Sequence, residues 1–167
     1  VFARVEPSLE TEALLQDGAA LNPGDHIARI RGPVGGILRG ERTALNFLQR
    51  MSGIATETAR YVRAVEGFPV QIIDTRKTVP GHRYLDKYAV RMGGGHNHRL
   101  NLADGILIKD NHIAALRARG FTLADVVRRA LEHAPHTLKV EVEVESVEDA
   151  GEAMEAGAHI LLLENMG

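Results

Sequence analysis

The spacing of apolar positions changes several times along the chain, and each change predicts an element. Residues 1–40 carry short alternating stretches interrupted by Gly and Pro. Phe2–Val5 and His26–Ile30 read as strands, and Asn22-Pro23-Gly24-Asp25 reads as a tight turn. From Glu41 the period lengthens. Leu45, Leu48, Met51, Ala55, Ala59, Val62 and Val65 recur every three or four residues, the apolar face of a long helix over 41–65. Ser52-Gly53 is a candidate kink, and Gly67-Phe68-Pro69 ends the helix.

Strands then alternate with helices. Val70–Ile73, Tyr88–Met92 and Gly105–Lys109 read as strands. Thr122 is placed to cap a helix running to about His133, with Asp125 at the capping-box position. Lys139–Glu145 alternates strictly and reads as a strand. Ser146 caps a helix through Val147, Ala150 and Met154 that closes at Gly157, and His159–Leu163 is the last strand. Strands recurring with helical crossovers predict a parallel sheet or an α/β barrel. The start lacks Met and the end is a strand running into a loop, so truncation at both ends is expected.

Composition narrows the classes. Hydrophobic residues make up 44% and charged residues 25% of 167, a globular profile. The formal net charge of -2 provides no global field for nucleic acid or an anionic membrane. No apolar run approaches the ~20 residues that span a bilayer. Cysteine is absent, which removes disulfides, thiolate nucleophiles and Cys-based zinc sites, and fits a cytoplasmic protein.

The chemistry gathers at predicted strand ends, where α/β barrels carry their sites. Arg76 and Lys77 follow the first strand of the series; His96, His98 and Arg99 follow the second; Lys109 closes the third. Glu141, Glu143 and Glu145 share one face of the fourth, and Glu164 closes the fifth. If these ends meet at one mouth, cations face carboxylates there, which suits a multiply anionic substrate and a divalent cation. Gly93-Gly94-Gly95 would let backbone approach a ligand. Taken singly, Arg76-Lys77 also suits a solvated surface pair, and the three glutamates also suit a solvated edge strand. His96 and His98 could be two ligands of a metal.

Longer blocks carry a resemblance. Glu41-Arg42-Thr43-Ala44-Leu45-Asn46-Phe47-Leu48-Gln49-Arg50-Met51-Ser52-Gly53-Ile54-Ala55-Thr56 resembles the helix signature of quinolinate phosphoribosyltransferases. Asp74-Thr75-Arg76-Lys77-Thr78-Val79-Pro80-Gly81 resembles their next signature, as does Lys87 to Gly95 continuing through Asn97-His98-Arg99 to Lys109-Asp110-Asn111-His112-Ile113. The resemblance implies an α/β fold: part of an N-terminal α/β sandwich domain over 1–40, then a helix and an incomplete α/β barrel over 41–167. It implies transfer of phosphoribosyl from phosphoribosyl pyrophosphate to quinolinate with loss of CO₂, giving nicotinate mononucleotide for NAD biosynthesis, with Mg²⁺ as cofactor. It implies a homodimer or higher homo-oligomer with shared active sites.

By position, the resemblance assigns Arg76, His98 and Arg99 to the quinolinate carboxylates, with Arg42 reaching them from a partner chain. Lys77 and Lys109 would meet the phosphoribosyl pyrophosphate and the reacting carboxylate. Glu143 and Glu164 would hold Mg²⁺ or the ribose hydroxyls. The family usually has Asp where this chain has Glu164, and the extra methylene carries the carboxylate about one bond deeper into the mouth. Other readings are a related phosphoribosyltransferase with another acceptor, a metal-dependent hydrolase built on His96, His98 and the glutamates, and a non-catalytic binder on the same scaffold.

Overall fold

In the computed structural model, which describes residues 1–166, the chain divides between Leu100 and Asn101 into two units. The first unit opens with a departure from expectation. Phe2–Val5 is a single helical turn, α1, not a strand. Alternation over four residues is weak evidence, and tertiary packing decides here. The ring of Phe2 lies over Gly40, where a Cβ would stand 2.8 Å from it. Two short strands follow, β1 (Glu10–Ala13) and β2 (Ala28–Arg31), paired antiparallel with Glu12 opposite Arg29. The turn before β2 forms as expected: Asn22 N–H donates to Asp25 Oδ2 at 2.7 Å, and Gly24 adopts φ +95°.

The long helix α2 spans Val34–Ala64 without a break at Ser52-Gly53. It starts earlier than the periodicity suggests. Gly35, Gly36 and Gly40 look like a loop in sequence, yet Gly36 and Gly40 make a flat stripe that receives Glu6, Leu9 and Phe2. Close packing outweighs the low helix propensity of glycine at these positions.

Helix α3 (Arg83–Met92) replaces the strand expected at Tyr88–Met92. The five-residue window is mostly apolar and short enough to fit a strand, but Leu85, Tyr88, Ala89 and Met92 have helical spacing and are buried or half-buried. Val70–Ile73 forms no strand either. Val70 and Ile73 are exposed, and Ile73 makes only a single parallel bridge, to His96. An apolar run needs a neighbouring strand to complete a ladder, and only this one residue finds a partner.

Two of the three glycines after α3 serve packing within the protein. A Cβ on Gly93 would stand 2.4 Å from the Ala55 carbonyl oxygen, and one on Gly95 would stand 2.8 Å from Thr58 Cγ2. They let α3 end directly against α2, while Gly94 between them is exposed and adopts φ +86°. A part-buried ion pair ties the same two helices. Arg50 grips Asp86 bidentately, with Nε to Oδ1 at 2.9 Å and Nη2 to Oδ2 at 2.7 Å. Val79 N–H also donates to Asp86 Oδ2, so the loop before α3 is held by the same carboxylate. Hydrogen bonding from Arg50 holds Asp86 below the usual carboxylate range.

The second unit follows the expected rhythm. A 3₁₀ turn at Leu102–Asp104 leads to β3 (Ile106–Ile108), α4 (Asp110–Arg117), α5 (Leu123–His133), β4 (Val140–Val144), α6 (Val147–Glu155) and β5 (Ile160–Leu163). The three strands form an open parallel sheet in the order β3-β4-β5. Thr122 Oγ1 accepts from Asp125 N–H at 3.1 Å, while Asp125 Oδ2 accepts from Thr122 N–H at 3.0 Å. The capping box therefore forms with Asp in place of the commoner Glu. Ser146 Oγ caps α6 by accepting from Asp149 N–H. Val140, Val142 and Val144 join Leu123 and Val127 as fully buried side chains, packed with α5 and α6. Each such residue contributes about 1.5–3 kcal/mol through burial.

Two consequences can be measured. Gly93→Ala should lose about 1–3 kcal/mol in denaturant unfolding through overpacking. Gly151→Ala, whose Cβ meets nothing within 4 Å on α6, should gain about 0.5–1 kcal/mol; equal effects would contradict the packing account. Asp86→Asn should cost about 2–3 kcal/mol near neutral pH. Because the folded protein lowers the Asp86 pKa, its contribution is present above the ordinary value of ~3.9 and is lost as pH falls through the folded value. Wild type should therefore lose more stability than Asp86→Asn on acidification below pH about 4.

Candidate active site

Each unit carries a cluster of the residues expected to act. In the first unit the segments 74–77 and 96–99 lie side by side. Asp74 N–H donates to the His96 carbonyl at 3.0 Å, and His96 N–H donates to the Ile72 carbonyl at 2.8 Å. The Asp74 carboxylate then gathers three donors: Lys87 Nζ, Asn97 Nδ2 at 2.7 Å and His98 N–H at 2.8 Å. Lys87 Nζ also donates to the His98 carbonyl at 3.2 Å. The Lys87 and Asp74 side chains are only 4% and 8% exposed, so this is a buried ion pair.

Arg76 leaves this frame two residues after Asp74. It is half-buried, its Nε is buried without a hydrogen-bond partner, and no carboxylate pairs with it among the described residues. Buried donors of this kind are uncommon because desolvation is costly, and an anionic ligand is the natural complement. His98 and Arg99 are also half-buried, and the His98 backbone is held at both its N–H and its carbonyl. Lys77 is exposed, with its N–H donating to Thr75 Oγ1 at 3.1 Å. Arg42 lies exposed on α2, in no ion pair among the described residues.

In the second unit, strand register assembles the cluster. Ile108 is aligned with Val142, and Glu143 with Leu162. Lys109 therefore stands beside Glu143, and alternation puts Glu164 on the same face as Leu162 and Glu143. Lys109 Nζ lies 2.7 Å from Glu143 Oε2, with the Glu143 side chain 5% exposed. Hydrogen bonding to Glu143 holds the Lys109 ammonium above the ordinary lysine range, and the charges of Glu143, Glu164 and Asp110 add to the effect. Lys109 is thus a cation at neutral pH and suited to bind phosphate or carboxylate rather than to act as a base. His112 Nδ1 accepts from the Lys109 N–H at 3.0 Å and fixes its backbone. Glu141 is buried lower on β4, while Glu145 lies beyond the strand and is exposed.

Sequence reasoning had not identified Asp74, Lys87 and Asn97 as the frame of the first cluster, nor Arg50 and Asp86 as its neighbouring clamp. The signal was two charged residues, Asp86 and Lys87, on the buried side of α3, and it is readable only once that segment is a helix. Among the described residues no group of three or more His, Asp or Glu is arranged to hold a metal ion, so His96 and His98 gain no third ligand. Glu143 and Glu164 do offer hard oxygen donors at adjacent strand ends, a set that suits Mg²⁺ when substrate phosphates and water complete it.

Comparison with known proteins shows the family. The family model described as quinolinate phosphoribosyl transferase, N-terminal domain, matches residues 1–52, and the corresponding C-terminal domain matches residues 54–167. A probable nicotinate-nucleotide pyrophosphorylase [carboxylating] of Bacillus subtilis is 44% identical over 164 residues, covering 98% of this chain and 55% of the relative. The nicotinate-nucleotide pyrophosphorylase [carboxylating] of Mycobacterium leprae is 46% identical over 151 residues, covering 90% of this chain and 51% of the relative. The chain thus spans about half the length of the curated relatives it matches. Among solved structures, NadC from Streptococcus pyogenes superposes with a TM-score of 0.90 at 45% identity, over 99% of this chain and 57% of that one. The nicotinate-nucleotide pyrophosphorylase from Francisella tularensis gives 0.91 at 37% identity, over 99% and 57%. Because the two domain matches together run nearly from end to end, the chain belongs to the quinolinate phosphoribosyltransferase family.

Proposed function

We propose that the protein containing this chain transfers a phosphoribosyl group to quinolinate, releasing pyrophosphate and CO₂ and forming nicotinate mononucleotide. The buried, unpartnered guanidinium nitrogen of Arg76 carries this reading: in a loop pinned beside His98, it asks for an anionic ligand. In this reading Arg76, His98 and Arg99 hold the two carboxylates of the acceptor, and Arg42 reaches the same acceptor from a neighbouring copy of the chain. The exposed position of Arg42, without an ion pair among the described residues, supports that assignment.

Lys77 and Lys109 meet the pyrophosphate and the acceptor carboxylate that is lost. The ring nitrogen attacks C1′ of the ribose as the C1′–oxygen bond to pyrophosphate breaks, and the leaving group departs with the bonding pair. Positive charge develops on the ribose, and a fixed carboxylate nearby stabilises it. Glu143, held by Lys109 at 2.7 Å, and Glu164 are the groups available for that role and for the ribose hydroxyls. Mg²⁺, when bound by Glu143 and Glu164 with the donor phosphates, supplies charge neutralisation of the leaving pyrophosphate. Once the ring nitrogen is quaternary, the adjacent carboxylate leaves as CO₂ and the electron pair left on carbon takes up a proton. No covalent protein intermediate is needed, so orientation of the two substrates is the main work of the side chains.

The reading against a metal-dependent hydrolase follows from the donor set: the His pair finds no third ligand among the described residues. The full-length protein should release pyrophosphate and CO₂ only when quinolinate, phosphoribosyl pyrophosphate and Mg²⁺ are all present. Turnover of nicotinate at an equal rate would defeat the acceptor assignment. Arg76→Ala should raise the KM for quinolinate about 30- to 160-fold, the loss of a charge-assisted contact of about 2–3 kcal/mol, and change that for phosphoribosyl pyrophosphate far less. Mixing an Arg42→Ala chain with a Lys109→Ala chain should restore part of the activity that each lacks alone; absence of rescue would argue against a site shared between chains.

A further inference from the structure

Asp74, Lys87 and Asn97 have no role in the chemistry described above, yet they form the most heavily cross-linked polar group of the first unit. Their contacts converge on the two segments that carry Arg76 and His98. Those segments share one β-bridge and no ladder, so ordinary strand pairing does not fix them. Ordering free backbone costs conformational entropy at every residue, so a loop pair without a ladder needs another fixture.

Asp74 supplies it. Oδ1 accepts from Lys87 Nζ and from His98 N–H at 2.8 Å, and Oδ2 accepts from Asn97 Nδ2 at 2.7 Å. Lys87 and Asn97 close the frame from the other side. Lys87 Nζ donates to the His98 carbonyl at 3.2 Å, and Asn97 Nδ2 donates to the Lys87 carbonyl at 2.9 Å. The carboxylate is thus bonded to α3 and to the consecutive residues Asn97 and His98, while its own backbone leads two residues on to Arg76.

We propose that the Asp74–Lys87–Asn97 group is a positioning device for the acceptor site, setting how Arg76 and His98 meet the two carboxylates of the acceptor. This rests on the acceptor reading above. The device has an electrostatic aspect as well as a geometric one. Lys87 neutralises Asp74, so the frame adds little net field toward a dianion; without Lys87, a buried negative charge stands close to the acceptor cations. Asn97 is exposed and neutral, so its loss disturbs geometry without unmasking charge. The two residues therefore separate the two effects.

The test uses the full-length protein with Asn97→Ala and Lys87→Met, reading the amide exchange of His98 without substrates and then the KM for each substrate with kcat. In Asn97→Ala the His98 amide should exchange about tenfold faster, and the quinolinate KM should rise about tenfold while that for phosphoribosyl pyrophosphate stays within about twofold, since small displacements of binding groups are costly. Lys87→Met should raise the quinolinate KM further, about 100-fold, because repulsion adds to misplacement. Should Lys87→Met fail to fold, the exposed Asn97 variant decides the matter. Unchanged exchange at His98, a parallel rise of both KM values, or a lowered Tm with an unchanged quinolinate KM would overturn the proposal. Failure of the wild type to release CO₂ from quinolinate sinks the acceptor reading instead, and the exchange measurement still decides whether the frame pins His98.

Discussion

A carboxylate withdrawn from water has to be met by a cation or by several hydrogen-bond donors, and this requirement organises both clusters. Asp74, Asp86 and Glu143 each have side chains less than a tenth exposed, and each is paired to Lys87, Arg50 and Lys109 respectively. The partners come from different elements in every case. Asp74 binds α3 to the loop that follows it, Asp86 binds α3 to α2, and Glu143 binds the end of β3 to β4. Buried ion pairs add little net stability compared with apolar packing, but they are intolerant of displacement. That intolerance makes them useful for holding loops that carry ligand-binding cations.

The two units achieve order by different means. In the second, backbone ladders do the positioning. Parallel register aligns Lys109 with Glu143, and alternation then requires Glu164 to share their face. The opposite face, Val140, Val142 and Val144, is committed to α5 and α6. A one-residue slip would turn the glutamates into the apolar contacts with α5 and α6 and the valines toward Lys109, so the core protects the site's geometry. In the first unit no ladder reaches Arg76 or His98, and side-chain bonds to Asp74 take over that task. Such a site is more exposed to single substitutions, because few bonds share the load.

Glycine illustrates how much of the first unit is decided by contact. Gly36 and Gly40 sit inside α2, where propensity argues against them, because Glu6 and Leu9 lie across the first and Phe2 of α1 across the second. Gly93 and Gly95 let the end of α3 rest on Ala55 and Thr58. In each case the missing side chain is explained by another part of the chain.

Strict alternation over Lys139–Glu145, the Thr122 and Ser146 caps and the apolar stripe of α2 were legible in the sequence because each is a local rule acting over one or a few turns. Lys109, Glu143 and Glu164 at the strand ends of the second unit were legible for the same reason, whereas Arg76, Lys77, His98 and Arg99 follow no strand; the family was legible through long blocks that no local rule would generate. The strand expected at Tyr88–Met92 and the one at Val70–Ile73 failed because short windows fit both periods, and only packing against α2 or the presence of a neighbouring strand distinguishes them. What tertiary structure alone decided was partnership: that Asp74 would bind Lys87, Asn97 and the His98 backbone, and that Arg50 would bind Asp86. Sequence carries the charge of each residue, but the burial that makes a charge demand its partner exists only once distant segments have been brought together.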